Sequence, residues 1–520
     1  MNLVSVLKRR CEEHPDRPAL VSANRSLSFH GLEQEVGSCA DQLSKLGIVA
    51  GDRLIVLVPF SIELYVTLLS LMRIGAVAVF IDPGFSAPHV ASCVSSAAPK
   101  GVICSTKTYP LLLASRFLRK LPYWLSVSPW SLPGTIGLTP STDVVNAPII
   151  GLGGSDPALL TFTSGSTGRP KGVVRSHGFL LEQHKILEHH IELLEGECDL
   201  TGLPIFGIAN IASGVTTVIP DASMKKPGSI RAGPIVRQIR NHRISRIAAS
   251  PAFLERIVDH IETGNGTVPE LKKIYTGGAP VFPQLLKRLS NAAPNADVVA
   301  VYGSTEAEPI AHISIRDFSE EDLSRIASGR GLLAGPPVPE IKCRIIQAIW
   351  GTPLQCLSEK EFEERQRPVG EIGEIVVSGK HVLTGYLNGV GDDETKFNVA
   401  TERWHRTGDL GYFDSTSRLW LVGRASAVVR REGKAPLYPF CIECAAQSHP
   451  TVRRAALAII DGQAVLALET GRSGADTTRE VNDLVSWANL DVVVTVKSIP
   501  MDARHNAKVD YTKLYAILKR

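Results

Sequence analysis

The stretch from Leu54 to Ile81 constrains the fold more than any other. Leu54–Pro59 (LIVLVP) is short, apolar and β-branched, which suits a buried strand. Ile62 to Ile74 carries a helical pattern, and Ala76–Ile81 (AVAVFI) is strand-like again. Asp82-Pro83-Gly84 then supplies a turn. Two apolar strands joined by a helix predict a βαβ unit with its strands parallel. The same run is highly apolar, but Glu63 and Arg73 interrupt it. It leaves no span of about 18 apolar residues, so no transmembrane segment is expected.

The pattern recurs. Gly101–Cys104, Leu159–Thr163, Arg246–Ala249, Lys273–Thr276 and Val298–Tyr302 read as buried strands followed by loops rich in Gly, Ser or Pro. An α/β architecture with parallel sheets follows, with ligands expected at the carboxyl ends of strands. The last hundred or so residues differ. Leu419–Val422, Ala455–Ile460, Ala464–Glu469 and Val492–Val496 are short strands, and helical patterns sit near Phe440–Ser448, Arg479–Ala488 and Tyr511–Lys519. They predict a compact α+β domain with its boundary near Gly423-Arg424. The expected organisation is a large domain over 1–422 and a small one over 423–520, as a chain of 520 residues exceeds one ordinary core.

Composition excludes some classes. Hydrophobic content of 44% and charged content of 21% suit a globular protein. A net charge of +4 over this length gives no argument for nucleic acid, where a concentrated basic stripe would be expected, so no such partner is expected. Among nine cysteines only Cys441 and Cys444 form a CxxC, and no second pair or His cluster completes a zinc site. They read as buried free thiols of a reducing, cytoplasmic setting. The start, MNLVSVLKRRCEEHPDRPAL, has no long apolar core and no cleavage signature, so no signal peptide is expected.

Residues 161–172 read TFTSGSTGRPKG. A Walker A loop needs GxxxxGK followed by Ser or Thr. Here Gly165 and Gly168 are too close, and Lys171 precedes Gly172. The physics of phosphate binding is nevertheless present. Gly165, Gly168 and Gly172 remove side-chain bulk, so that backbone N–H groups can face an anion. Thr163, Ser164, Ser166 and Thr167 add hydroxyl donors, and Lys171 adds a positive charge. Composition alone also allows a plain surface loop. Other segments narrow the choice. YTGGAP at 275–280 runs a strand into a Gly-Gly turn, where a flat ring could lie on bare backbone. YGSTEAEP at 302–309 carries Glu306, a hard oxygen ligand of the kind Mg²⁺ takes beside phosphates. WHRTGD at 404–409 places Asp409 to accept hydrogen bonds from ribose hydroxyls.

In this order the segments resemble the adenylate-forming superfamily: acyl-CoA synthetases, peptide-synthetase adenylation domains and luciferases. The resemblance covers essentially the whole chain, including VGRASAVVRREG at the joint and PMDARHNAKVD near the end. It implies a large adenylation domain, a small mobile C-terminal lid, and ATP and Mg²⁺ as co-substrate and cofactor. It also implies roles. Thr163, Ser164, Gly165, Ser166, Thr167, Gly168 and Lys171 resemble the loop over the β- and γ-phosphates. Gly277, Gly278 and Ala279 resemble the adenine wall, and Tyr302 and Gly303 belong to the same nucleotide-binding set. Thr305 resembles the α-phosphate contact, Glu306 the magnesium ligand, with Thr163 as a second. Asp409 and Arg424 resemble the ribose clamp. Lys508 resembles the lysine that stabilises the adenylation transition state.

Departures from the pattern bear on the second half-reaction. Gly207 stands where many acyl-CoA synthetases carry a histidine, in LPIFGIANIASG. Gly433 is followed by Lys434-Ala435-Pro436-Leu437-Tyr438-Pro439 rather than a Gly-rich stretch, and Ala425, Ser426 and Ala427 replace polar hinge residues. Several segments look more like the β-lactone synthetases of olefin biosynthesis: GAVAVFIDPG (75–84), IFGIANIASGVTTVIPD (205–221), LYP (437–439), HPTVRRAAL (449–457) and DARHNAKVD (502–510). That resemblance implies adenylation of a 2-alkyl-3-hydroxy fatty acid, then attack by the substrate's own hydroxyl to close a β-lactone. The alternative is an acyl-CoA ligase or carrier-protein loader that forms a thioester. A catalytically dead nucleotide-binding protein is a third reading, opposed by retention of Lys171, Glu306, Asp409 and Lys508. A membrane-associated multienzyme assembly would suit the olefin family, and a homo-oligomer is the alternative; neither contact surface is readable from the sequence. No base for the hydroxyl stands out. His177 suits packing or capping, and His505 could approach only on lid closure. Glu308 reads either as a solvated or paired carboxylate, or as a group that meets a polar part of the substrate.

Overall fold

The computed structural model describes residues 2–82, 84–138, 147–164, 170–264, 266–471, 475–501 and 509–519. Two compact units emerge. One comprises Met1–Met224, Asn241–Ala248 and Lys380–Asp393; the other comprises Lys225–Arg240, Ala249–Gly379 and Glu394–Arg520.

The first unit contains the βαβ unit. Strands Arg53–Leu57 and Val77–Phe80 pair in parallel, and helix Ile62–Arg73 connects them. All residues of that helix except Glu63 are buried, which is where the apolar run goes. Its polar groups are satisfied: the Ser70 hydroxyl donates to the Val36 carbonyl at 3.0 Å, and Arg73 pairs with Glu33 at 2.6 Å. No helix among the described residues is long and apolar enough to cross a membrane. The surrounding sheet runs Ile136–Gly137, Tyr123–Ser126, Gly101–Cys104, Arg53–Leu57, Val77–Phe80, Pro157–Ser164, Pro170–Ser176. Its pairings are parallel except the last, where Pro170–Ser176 returns antiparallel along Pro157–Ser164. A second parallel set in this unit includes Cys198–Thr201, Thr216–Val218 and Pro18–Val21.

In the second unit, Lys273–Gly277 and Asp297–Ser304 pair in parallel, and Ala307–Ser314 folds back antiparallel. An antiparallel sheet follows, in the order Leu332–Gly335, Leu419–Arg424, Glu402–Phe413, Gly373–Gly379, Ile341–Ile346, with Lys396–Val399 also on Glu402–Phe413. Most of that sheet has no counterpart in the expectation of buried parallel strands. Ile341–Ile346 exposes Lys342 and Arg344 between buried neighbours, the alternation of a half-solvated strand rather than an apolar run. Towards the C-terminus, Val452–Ile460, Gln463–Thr470 and Val492–Val496 form a three-stranded sheet, with helix Pro439–Gln447 packed on it through Ile442, Ala445 and Ala446.

Candidate active site

Each unit carries part of the predicted constellation. In the first, Pro157–Ser164 and Pro170–Ser176 form a hairpin whose register sets Thr163 opposite Lys171 and Ser164 opposite Pro170. Gly165, Ser166, Thr167 and Gly168 lie outside the described residues. Lys171 is only 5% exposed, and its ammonium sits 5.6 Å from the centroid of the Tyr386 ring. A Cβ on Gly391 would stand 2.6 Å from the Lys171 Cδ and Cε, so the bare backbone there makes room for the stem. Gly172 has a packing reason beside the one read from the sequence. It is a strand residue opposite Phe162, and a Cβ there would meet the Leu387 Cβ at 2.8 Å. Its missing side chain serves packing.

In the second unit the grouping is tighter. Gly277 ends a strand in register with Val301, and a Cβ on it would come 2.6 Å from the Val301 carbonyl oxygen. Gly278 follows at φ +79°, a left-handed conformation that favours glycine, and Ala279 is half-buried beyond it. Bare backbone at this strand end is therefore dictated by packing and by dihedral. Ser304 pairs with Ala307, leaving Thr305 and Glu306 as the tip of a tight hairpin. The Glu306 amide donates to the Ser304 hydroxyl at 3.2 Å, which fixes that tip. Gly303 is packed from behind: a Cβ would lie 3.2 Å from the Cγ of Glu308, itself half-buried.

Tyr302, Asp409 and Arg424 meet. Asp409 and Arg424 are cross-strand partners, and an Arg424 Nη1–H donates to Asp409 Oδ1 at 2.9 Å and to the Thr407 carbonyl at 3.0 Å. The Tyr302 hydroxyl donates to Asp409 Oδ2 at 2.8 Å. Burial and the neighbouring Asp409 charge both push the Tyr302 phenol well above its ordinary range, so it stays a donor. Asp409 and, further off, Tyr302 and Glu306 hold the Arg424 guanidinium protonated. Lys508 and His505 lie outside the described residues. No cluster of three or more His, Cys, Asp or Glu that could hold a metal forms among the described residues. Cys441 and Cys444 are buried free thiols, pushed up by desolvation.

Two further positions resolve locally. His177 is fully buried at the start of helix His177–His190, and its Nδ1 accepts from the Leu3 amide at 3.1 Å. Burial pushes its imidazole down to about 4, so it packs as a neutral ring. Gly207 has a reason that sequence reasoning missed. Tyr65 fills the space above it, its hydroxyl donating to the Pro204 carbonyl at 2.8 Å. A Cβ at 207 would stand 2.0 Å from that hydroxyl oxygen. No side chain fits there while Tyr65 keeps this position.

The fold is that of an adenylate-forming enzyme. Residues 7–387 match the AMP-binding enzyme family, and the chain belongs to it. It is similar to an olefin β-lactone synthetase of Stenotrophomonas maltophilia, 28% identical over 547 residues that cover 99% of this chain and 97% of that one. It is 26% identical over 458 residues to the long-chain-fatty-acid–CoA ligase FadD13 of Mycobacterium tuberculosis, covering 88% of this chain and 85% of that one. Among solved structures, ATP-bound MatB from Rhodopseudomonas palustris superposes with a TM-score of 0.79 at 21% identity, over 100% of this chain and 99% of that one.

Proposed function

We propose that this enzyme adenylates a 2-alkyl-3-hydroxy fatty acid and then closes it to a β-lactone, releasing AMP and pyrophosphate. The observation that carries the reading is the full-length similarity to an olefin β-lactone synthetase. Tyr65 over Gly207 supports it from the side of the fold, because it removes a side chain that many thioester-forming relatives carry.

In this reading the substrate carboxylate attacks the α-phosphorus of ATP and pyrophosphate leaves. Asp409 and Arg424 take the ribose hydroxyls, the bare backbone of Gly277 and Gly278 receives the adenine, and Thr305 meets the α-phosphate. Thr163, Lys171 and the loop between them attend the outer phosphates. Lys508, on a lid formed by 423–520, neutralises charge that develops in the transition state. Mg²⁺ beside a triphosphate keeps several waters and needs only one or two carboxylates. A single Glu306 on a fixed hairpin tip suits that demand, and the family resemblance adds Thr163 as a residue that would be the second protein ligand. The bound ion supplies neutralisation of phosphate charge. The second step needs no further substrate: the 3-hydroxyl oxygen bonds to the acyl carbonyl carbon and gives up its proton to solvent, the acyl C–O bond to phosphate breaks, and AMP leaves with that electron pair. Holding the hydroxyl against the carbonyl is the enzyme's contribution, an orientation effect.

The test compares a 2-alkyl-3-hydroxy acid with its 3-deoxy analogue, without any thiol. The hydroxy acid should give AMP over many turnovers. The deoxy acid should support pyrophosphate exchange but stall as the bound adenylate. Multiple turnover of the deoxy acid only when CoA is added, with none of the hydroxy acid alone, would favour the thioester-forming reading.

A further inference from the structure

Trp350 lies in the stretch between strand Ile341–Ile346 and helix Glu359–Arg365, and nothing in the predicted motifs points to it. Its ring nevertheless borders the Asp409–Arg424 pair. A Cβ on Gly408 would stand 2.9 Å from Trp350 Cη2, 3.2 Å from Trp350 Cζ3 and 3.2 Å from Arg424 Nη2. Indole and guanidinium thus converge on one point above the bare backbone that precedes Asp409. Gly408 has φ +72°, so the backbone there favours glycine for a second reason.

The ring is also anchored. The Arg406 guanidinium carbon lies 5.3 Å from its centroid. Arg406 itself is fixed, its Nε–H and Nη2–H donating to the two Glu374 carboxylate oxygens at 2.8 and 2.7 Å, and its Nη1–H to the Thr352 carbonyl at 2.7 Å. Arg406 and Glu374 are fully buried, whereas the Arg424 side chain is half exposed. A long, half-exposed arginine has many rotamers, and a flat wall removes most of them.

We infer that Trp350 is a positioning residue for the nucleotide: it walls the Arg424 guanidinium over Gly408, so that Arg424 and Asp409 stand ready for ribose hydroxyls. The inference rests on the proposed ribose role of that pair. It acts through Arg424 and requires no contact between Trp350 and ATP.

The test uses the full chain, and titration calorimetry with ATP and with 2′,3′-dideoxy-ATP, which lacks the hydroxyls. Asp409→Ala tests the underlying reading and should abolish the preference for ATP. Trp350→Leu should lose about tenfold in ATP affinity and little in dideoxy-ATP affinity, the size expected when a half-exposed arginine regains the rotamers that a wall had removed. Trp350→Phe keeps a flat ring and should retain most of the preference. If the leucine variant does not fold, Trp350→Met, which also lacks a flat ring, carries the same comparison. Equal loss for both nucleotides, or no loss, while Asp409→Ala abolishes the preference, would leave the ribose clamp standing and overturn the role of Trp350. An undiminished preference in Asp409→Ala would remove the clamp reading, and the inference with it.

Discussion

At the scale of single residues, motif and packing carry different information. The order of the segments puts Tyr302, Asp409 and Arg424 in one proposed nucleotide-binding set, and the structure joins these three side chains by hydrogen bonds. Tyr65, Tyr386 and Trp350 were not legible. Each meets its partner across many intervening residues, and nothing local in the sequence marks such a pairing. Gly172 shows the same point, since a glycine beside a phosphate-type motif also makes room for Leu387. The Tyr65–Gly207 contact gives a direct test. Gly207→Ala forces a methyl into a buried, filled space and should cost about 1–3 kcal/mol in unfolding free energy. Tyr65→Leu in the same chain should recover part of that loss in denaturant melts; no recovery would mean that Tyr65 is not what excludes the side chain. For Lys508, the proposed transition-state role predicts that Lys508→Ala abolishes pyrophosphate exchange while calorimetric ATP affinity stays nearly unchanged. Parallel loss of ATP binding would show that the lysine holds the ground state instead.

At the scale of elements, helix Pro439–Gln447 buries a carboxyl group. Glu443 is 5% exposed, and desolvation pushes it up to about 7, although the Leu457 amide donates to its Oε1 at 3.0 Å and pulls the other way. The titratable groups that sense it are the Cys444 thiol beside it and the Tyr511 phenol, both pushed up themselves by burial. A carboxyl with a raised folded-state value binds its proton more tightly in the folded chain than in the unfolded one. Its stabilising effect is present below the unfolded value of about 4.5 and is lost as pH rises to about 7. Over that window the term amounts to about 3 kcal/mol. Glu443→Gln should flatten this part of the stability–pH curve, measured by urea melts between those limits; an unchanged slope would assign the dependence to other groups. Helices and strands near this region were legible, because short apolar runs bounded by turns look alike in parallel and antiparallel sheets. The long strand Glu402–Phe413 was not, because Gly408, Gly411 and several charged residues break its pattern, and cross-strand pairing supplies what the local sequence lacks.

At the scale of the whole molecule, the proposed lid is held to its own unit by charge. Arg453 donates to Asp259 at 2.6 Å, Arg454 pairs with Glu255, and the Gln284 amide reaches the His449 carbonyl at 3.4 Å. Glu255 and Asp259 lie four residues apart on helix Pro251–Thr263, so two adjacent arginines address one helical face. Reversing both charges, Arg453→Glu with Arg454→Glu, should loosen residues 423–520 and speed limited proteolysis near 425–438, and added salt should do the same to the unaltered chain more weakly. Unchanged cleavage would mean that apolar packing alone holds the arrangement. The α/β class was readable from the alternation of strands and helices, whereas one-substrate and two-substrate chemistry share the same adenylation motifs, so those motifs do not choose between them. The measurement that addresses that choice most directly is product NMR after incubating the pure protein with ATP, Mg²⁺ and a 2-alkyl-3-hydroxy fatty acid, with and without CoA. A β-lactone formed equally well in both is the predicted result. A thioester formed only with CoA, and no lactone in either, would contradict the account.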